Sequence, residues 1–463
     1  MLSRRCIRIR LRPWVGAGGF LLLGVSVGLG APSLSIAAFD DPAARATTTR
    51  LGNGLTVVTL EDHTTPVVSF QMWVQVGSKD EGRYSGLAHL FEHMMFKGSK
   101  HIAPEQHARL IQARGGRVNA WTSRDFTGYF EDVSSETLPL VIELEAERVA
   151  HLDINQETLA GEREVVLEER GMRIDDNPRG LANQALFALA FRAHPYRRPI
   201  IGWRSDVETV TVEVCRRFFR RYYAPNNMVL AIAGDFDSDE ALARIRRTFG
   251  RLNRVAEIPR NPTVEPPQRG ERRSTVRFDV RSPILAAAWH APAAGHPDAD
   301  ALDVAAQILS SGRSSRLYRS LVYEAQQALY AHGGYMELAE AGLFLAFAGV
   351  RPDADIDTVE RLLFAEIARM REEPAADAEI EKAKRQLEVS MVNGMGTSHA
   401  LAARLARDMV TFGRIRLLEE RLAGIQSVGA EDVQRVAATY LVDSNRSVVR
   451  VIPADSDASA ETR

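Results

Sequence analysis

Cysteine is almost absent: the chain of 463 residues has two, Cys6 and Cys215. Cys6 falls in a leader that reads as removable, so the mature protein keeps one thiol and no internal disulfide is possible. Charge imbalance is also missing, with 58 Lys and Arg against 60 Asp and Glu. The basic residues are dispersed, which excludes the basic stripe of a nucleic-acid-binding protein. After the first forty residues no run is long and apolar enough to span a bilayer, so no stable membrane span is expected in the mature chain.

The leader is the exception to that evenness. Arg4, Arg5, Arg8, Arg10 and Arg12 precede a glycine-spaced apolar stretch over roughly residues 14–30, and the small residues Ser35, Ala37 and Ala38 follow. This is the layout of a signal peptide over 1–38, and the apolar run is short for a permanent anchor. Ser3-Arg4-Arg5 gives only a faint twin-arginine pattern, so Sec-type export to the periplasm is the expectation. A large chain can bury enough apolar surface without cross-links, so the lack of disulfides does not oppose export.

What remains is too long for one compact core and suits two domains. Pro259, Pro262, Pro266 and Pro267 oppose both helix and central strand, marking a linker at 258–271. That leaves domains at 39–257 and 272–455 and a disordered tail at 456–463. In the first half, Asn53-Gly54 signals a hairpin turn. A strand is expected over 67–76, a helix opening at Ser85 as N-cap, a strand over 118–130, and a long charged helical region over 138–170. Tyr223-Ala-Pro-Asn-Asn227 feeds an apolar strand, and Tyr440-Leu-Val-Asp-Ser-Asn445 does the same near the end. Asn227 and Asn445 would then correspond. The fold class expected is α+β, with two related domains, each a largely antiparallel sheet covered by helices.

The chemistry concentrates in Ser85-Gly-Leu-Ala-His89-Leu-Phe-Glu92-His93. His89 and His93 are four apart on a helical pattern, one turn above each other, and can share a metal. Glu92 lies on an adjoining part of that face, where it can reach a metal-bound water without being a ligand. The order is H-x-x-E-H, the inverse of H-E-x-x-H. A catalytic zinc takes three protein ligands, so one more must come from elsewhere. Gly161-Glu162-Arg-Glu164-Val-Val-Leu-Glu168-Glu169 offers candidates. Glu162 and Glu169 lie two turns apart on nearly one face, and Glu164 and Glu168 turn away. Periodicity alone does not choose among them, and such a run is also the usual pattern of a solvated helix.

Together these segments resemble the pitrilysin-type (M16, inverzincin) zinc metallopeptidases. The likeness is to their short bacterial branch and to the zinc subunit of mitochondrial processing peptidase. Further landmarks are Gly77-Ser-Lys-Asp-Glu81, Gly115-Gly-Arg-Val-Asn119-Ala120, His194-Pro-Tyr196 and Tyr223-Ala-Pro-Asn-Asn227. The resemblance implies one zinc per chain held by His89, His93 and Glu169, with Glu162 supporting a ligating histidine and Glu92 as the catalytic residue. It implies two domains enclosing a clamshell chamber, and peptides bound as an added strand along an edge carrying Asn119 and Ala120. A metalloendopeptidase acting on peptides or unfolded segments follows; the alternative is a non-catalytic core-type scaffold of a larger complex.

One departure stands out. Self-sufficient members of the family carry an Arg and a Tyr seven apart in the second domain, for substrate. Here the Tyr is Tyr330, but the earlier position is Tyr323. Either Arg316 or Arg319 replaces the arginine, or another chain supplies it. The second option implies a dimer, and favours a heterodimer with a zinc-less homologous subunit over a homodimer. The leader makes a direct prediction: N-terminal sequencing of the exported protein should begin at Ala38 or Phe39, and an intact Met1 would refute cleavage.

Overall fold

The computed structural model describes residues 40–454; the leader, its cleavage site and the tail at 456–463 lie outside them. The first half builds a six-stranded sheet from β1 (Thr47–Arg50), β2 (Thr56–Glu61), β3 (Val67–Val74), β4 (Arg117–Thr122), β5 (Thr127–Ser134) and β6 (Met228–Gly234). The second half builds five strands: β7 (Arg272–Phe278), β8 (Ile284–Ala291), β9 (Ala328–Met336), β10 (Gly342–Val350) and β11 (Arg446–Pro453). Their spatial orders are β1-β2-β6-β3-β5-β4 and β7-β11-β8-β10-β9. Without β1, the two sheets have one topology. In each, the first and last strands pair in parallel and every other pairing is antiparallel. The chain is therefore α+β with two related domains.

The repeat extends to single hydrogen bonds. Asn227 Nδ2 donates to the carbonyl of Tyr222 at 2.8 Å and of Gln75 at 3.3 Å. Asn445 Nδ2 donates to the carbonyls of Tyr440 and His290, both at 2.8 Å. In each domain the amide closes the end of a helix onto a neighbouring strand, which sets the start of β6 or β11.

Helices relevant to the site are α1 (Leu87–Met94), α2 (Gln106–Gln112), α3 (Leu138–His151), α4 (Gln156–Arg170) and α5 (Pro178–Ala190). Each half lends a helix to the other's sheet. The α5 residues Ala182, Leu186, Phe187 and Ala190 bury against Ala286, Ala288, Val449 and Val451 of the second sheet. The small side chains of Ile284-Leu-Ala-Ala-Ala-Trp289 allow this approach, while Leu285, Ala287 and Trp289 face the domain's other core. In return, the helix Ser398–Phe412 lies across β3 and β6, and Gln71 Nε2 reaches the carbonyl of His399 at 3.0 Å. That cover explains why β3 is buried on both faces, Ser69 and Gln71 included.

Three local expectations need correction. Residues 118–130 are two strands, β4 and β5, joined by a turn at 123–126 where Ser123 Oγ caps the amides of Asp125 and Phe126. Residues 138–170 are two helices, because Asn155 opens a new one by accepting from Thr158 N at 2.9 Å. Ser85 does not cap α1. The N-cap is Gly86 at φ 91°, where an added Cβ would lie 2.7 Å from the carbonyl oxygen of Ile201, and Ser85 Oγ instead bonds Asp206. The segment 258–271 contains no helix or strand but is tied down: Glu265 accepts from the amides of Arg192, Ala193 and His194. Among the described residues no helix is long and apolar enough to cross a membrane.

The matched asparagines give a prediction. Asn227→Ala and Asn445→Ala each remove two hydrogen bonds to carbonyls, one of them fully buried at Asn227 and both part-buried at Asn445, and should cost about 1–3 kcal/mol, Asn227 the more. The losses should add, since the sites share no partner; chemical denaturation measures both.

Candidate active site

The first turn of α1 lacks a capping side chain of its own, and Glu81 supplies one. Its carboxylate accepts from Gly86 N at 2.7 Å and Ala88 N at 2.8 Å, satisfying amides that a helix start leaves open. Thus fixed, α1 presents His89, Glu92 and His93 toward α4. His89 Nε2 lies 3.4 Å, and His93 Nε2 3.3 Å, from Glu169 Oε2. That oxygen is buried and takes part in no hydrogen bond. Three such ligand atoms all fall within 4.8 Å of one another. Tetrahedral bonds of about 2.0–2.1 Å to one zinc would separate neighbouring ligand atoms by about 3.3 Å. The donor set therefore fits the ion.

The surroundings complete this geometry. Burial pulls His89 down to about 3, helped by His93 and Arg173, so its imidazole is neutral, as a ligand must be. Burial also opposes charge on His93, but Glu162, Glu169 and Glu92 outweigh it and raise its pKa. Glu162 Oε2 is 3.4 Å from His93 Nδ1, and its other oxygen meets Lys97 Nζ at 2.9 Å. Arg173, on a π-helical turn after α4, holds Glu169 Oε1 at 2.8 Å, leaving Oε2 to the histidines. Burial pushes Glu92 up, while Thr122 Oγ1 donates to it at 2.7 Å and pulls partly back.

Thr122 ends β4, and β4 is a sheet edge beside α1. Asn119 and Ala120 lie on this same edge strand. Tyr330 is not part of the cluster. It sits on β9, the edge of the second sheet, under the guanidinium of Arg179 at 4.7 Å and beside His332 at 5.5 Å. Arg316 is buried and forks onto Glu379 at 2.9 and 2.6 Å, and Arg319 pairs with Glu324 at 2.7 Å.

Four residues of the site escaped sequence reasoning. Lys97 and Arg173 carried a weak signal, each four residues beyond His93 or Glu169 on a helical pattern. Glu81 and Thr122 carried none, because their partners are reached only through the packing of turns and strands.

Residues 56–203 match the family model "Insulinase (Peptidase family M16)", and residues 209–387 match "Peptidase M16 inactive domain". Zinc protease PqqE of Helicobacter pylori is 30% identical over 409 residues, covering 87% of this chain and 92% of that protein. The probable mitochondrial-processing peptidase subunit beta of Arabidopsis thaliana is 26% identical over 431 residues, covering 89% and 79%. A crystal structure of a protease from Helicobacter pylori superimposes with a TM-score of 0.86 at 29% identity, covering 89% of this chain and all of that one. The chain belongs to the M16 peptidase family, and relatives in it are named zinc proteases.

A second group, His107, Glu131 and Glu145, is equally compact and fully buried. Here the cation is already present: Arg148 pairs with Glu145 and lies 3.6 Å from Glu131. Burial pushes Glu145 up to about 8, so it is protonated at neutral pH, and burial lowers His107 to about 3. The folded protein thus holds a proton that the unfolded chain releases near pH 4.5. Stability contributed by Glu145 should fall as pH rises from about 4.5 through about 8, while His107 contributes the opposite slope from about 3 to about 6.5, so the net loss shows above about pH 6.5. Glu145→Gln should abolish that slope at little cost, whereas Arg148→Met should cost about 3–5 kcal/mol; denaturation across pH distinguishes them.

Proposed function

We propose that this chain is a zinc-dependent endopeptidase that hydrolyses peptides or unfolded segments. The observation that carries this reading is the orphaned Glu169 Oε2 facing two histidine nitrogens at zinc-compatible distances, with Glu92 beside it. A zinc bound by His89, His93 and Glu169 supplies a water of lowered pKa and a Lewis acid for the scissile carbonyl. Glu92 accepts the water's proton and returns it to the departing amine. Its raised affinity for protons, set by burial, suits a group that must both take and give one. Thr122 holds the carboxylate in place, and Glu162 orients His93 through Nδ1. The free edge of β4, with Asn119 and Ala120, accepts the substrate backbone as an added strand.

The engaged state of Arg316 speaks against its replacing the family arginine. Arg316 is buried and forks onto Glu379, whereas Arg319 makes only an exposed ion pair with Glu324, which does not fix it. Arg179 of the first domain lies over Tyr330 at 4.7 Å, and it is family likeness that favours a dimer with a zinc-less homologous subunit supplying an arginine. Export to the periplasm is part of the same reading and rests on the leader.

The match of 209–387 to an inactive-domain model motivates a second reading, a non-catalytic scaffold. Zinc stoichiometry and cleavage of an unstructured peptide, with and without a chelator and a homologous zinc-less partner, decide between them. One zinc and chelator-sensitive cleavage support the peptidase, and no cleavage under any condition supports the scaffold. Glu92→Gln should keep zinc and lose at least about 100-fold in kcat. Glu162→Gln should instead weaken zinc binding about 10- to 100-fold, read by chelator competition.

A further inference from the structure

Two sequence landmarks, Gly77-Ser-Lys-Asp-Glu81 and His194-Pro-Tyr196, and the β4–β5 turn at 123–126 have a further link to the site. In the folded chain they meet at one point, around a loop of the second domain. That loop, residues 337–341, joins β9 to β10 and projects into the first domain. Glu340 Oε1 pairs with Lys79 at 2.7 Å and its Oε2 with His194 Nε2 at 2.8 Å. The amide of Glu340 donates to Tyr196 Oη at 3.1 Å, and that of Ala339 to Asp125 Oδ2 at 3.1 Å. Asp125 Oδ1 in turn takes Lys79 Nζ at 2.9 Å and the Tyr196 hydroxyl. Lys79, Asp125, His194 and Tyr196 are all buried. Such a network is costly unless each member is satisfied, and the loop from the second domain satisfies it.

The two first-domain turns gripped by this loop are also bonded to each other. Ser78 N donates to the carbonyl of Ser123, and Lys79 N to that of Arg124, both at 3.1 Å. Their approach requires glycine at 77, where a Cβ would lie 2.5 Å from the backbone of Arg124. From one turn, Glu81 caps α1, the helix carrying Glu92. From the other, the preceding residue is Thr122, whose hydroxyl holds the Glu92 carboxylate. The loop therefore grips both supports of Glu92 at once.

We propose that Glu340 is a positioning residue for Glu92, through which the domain lacking the metal motif sets the geometry of the proton acceptor. This rests on the reading of Glu92 given above. Loss of the Glu340 carboxylate leaves Lys79 with Asp125 alone and His194 without its partner. The loop is then held only by its two amides, so the two turns can shift together and Thr122 fixes the Glu92 carboxylate less well. A displacement of about 1 Å at a reacting group costs up to about 100-fold in rate.

The test is a double-mutant cycle on the full chain, with zinc content, thermal midpoint, KM and kcat measured for each variant. Glu340→Gln should lower kcat roughly 10- to 100-fold, with zinc content and KM near wild type at temperatures well below its midpoint. Thr122→Val should also lower kcat. The pair should be markedly less than multiplicative, because both losses act on one carboxylate. Wild-type kcat in Glu340→Gln, or fully multiplicative losses, would overturn the proposal. If Glu340→Gln does not fold, Asp125→Asn, which loosens the same loop at Ala339, must reproduce the pattern, and wild-type kcat there overturns it equally. The assays include the zinc-less homologous partner, and a wild-type protein that cleaves nothing with zinc and partner both present sinks instead the reading of Glu92.

Discussion

Bringing His89, Glu92, His93, Glu162 and Glu169 together in a partly buried cleft is the constraint to which much else in this fold answers. Charged and polar groups removed from water must find partners or neutralise. Each does so in a distinct way. Glu162 takes Lys97 and His93, Glu169 gives one oxygen to Arg173, Glu92 takes the hydroxyl of Thr122, and His89 stays neutral. Glu169 Oε2, facing the two histidines, is left without a hydrogen bond, as is His89 Nδ1. An orphaned buried oxygen between two imidazole nitrogens is expensive in an empty protein and natural in one that holds a metal.

The contrast with the second buried cluster sharpens this point. His107, Glu131 and Glu145 have similar residue types and spacing, but Arg148 occupies the place of a cation. Composition does not separate the two sites. What separates them is whether the fold delivers a guanidinium to the centre or only to the rim, as Arg173 is delivered to Glu169.

The duplicated architecture also acquires a physical sense. Both domains use the same strand order and the same asparagine latch, yet one carries the metal motif and the other does not. Exchange of α5 and the helix Ser398–Phe412 makes each sheet depend on the other half for cover. The second domain is then no passenger, since its loop at 337–341 enters the network that holds the first domain's turns.

The sequence by itself determined whatever local spacing can express. Histidines four apart on a helix share a face whatever surrounds them, so the pairing of His89 with His93 was legible. The same holds for the two Tyr–Asn turns, where Asn227 and Asn445 each make one bond that reaches back only five residues. Spacing placed Glu162 and Glu169 on one face, but family likeness was needed to choose between them. Tertiary structure alone decided which oxygen of Glu169 faces the histidines, that Glu81 and not Ser85 caps α1, and that Thr122 holds Glu92. It also decided that Arg316 is spent on Glu379. These contacts join segments that no periodicity relates, and they exist because strand pairing and glycine-permitted turns bring backbones within hydrogen-bonding reach.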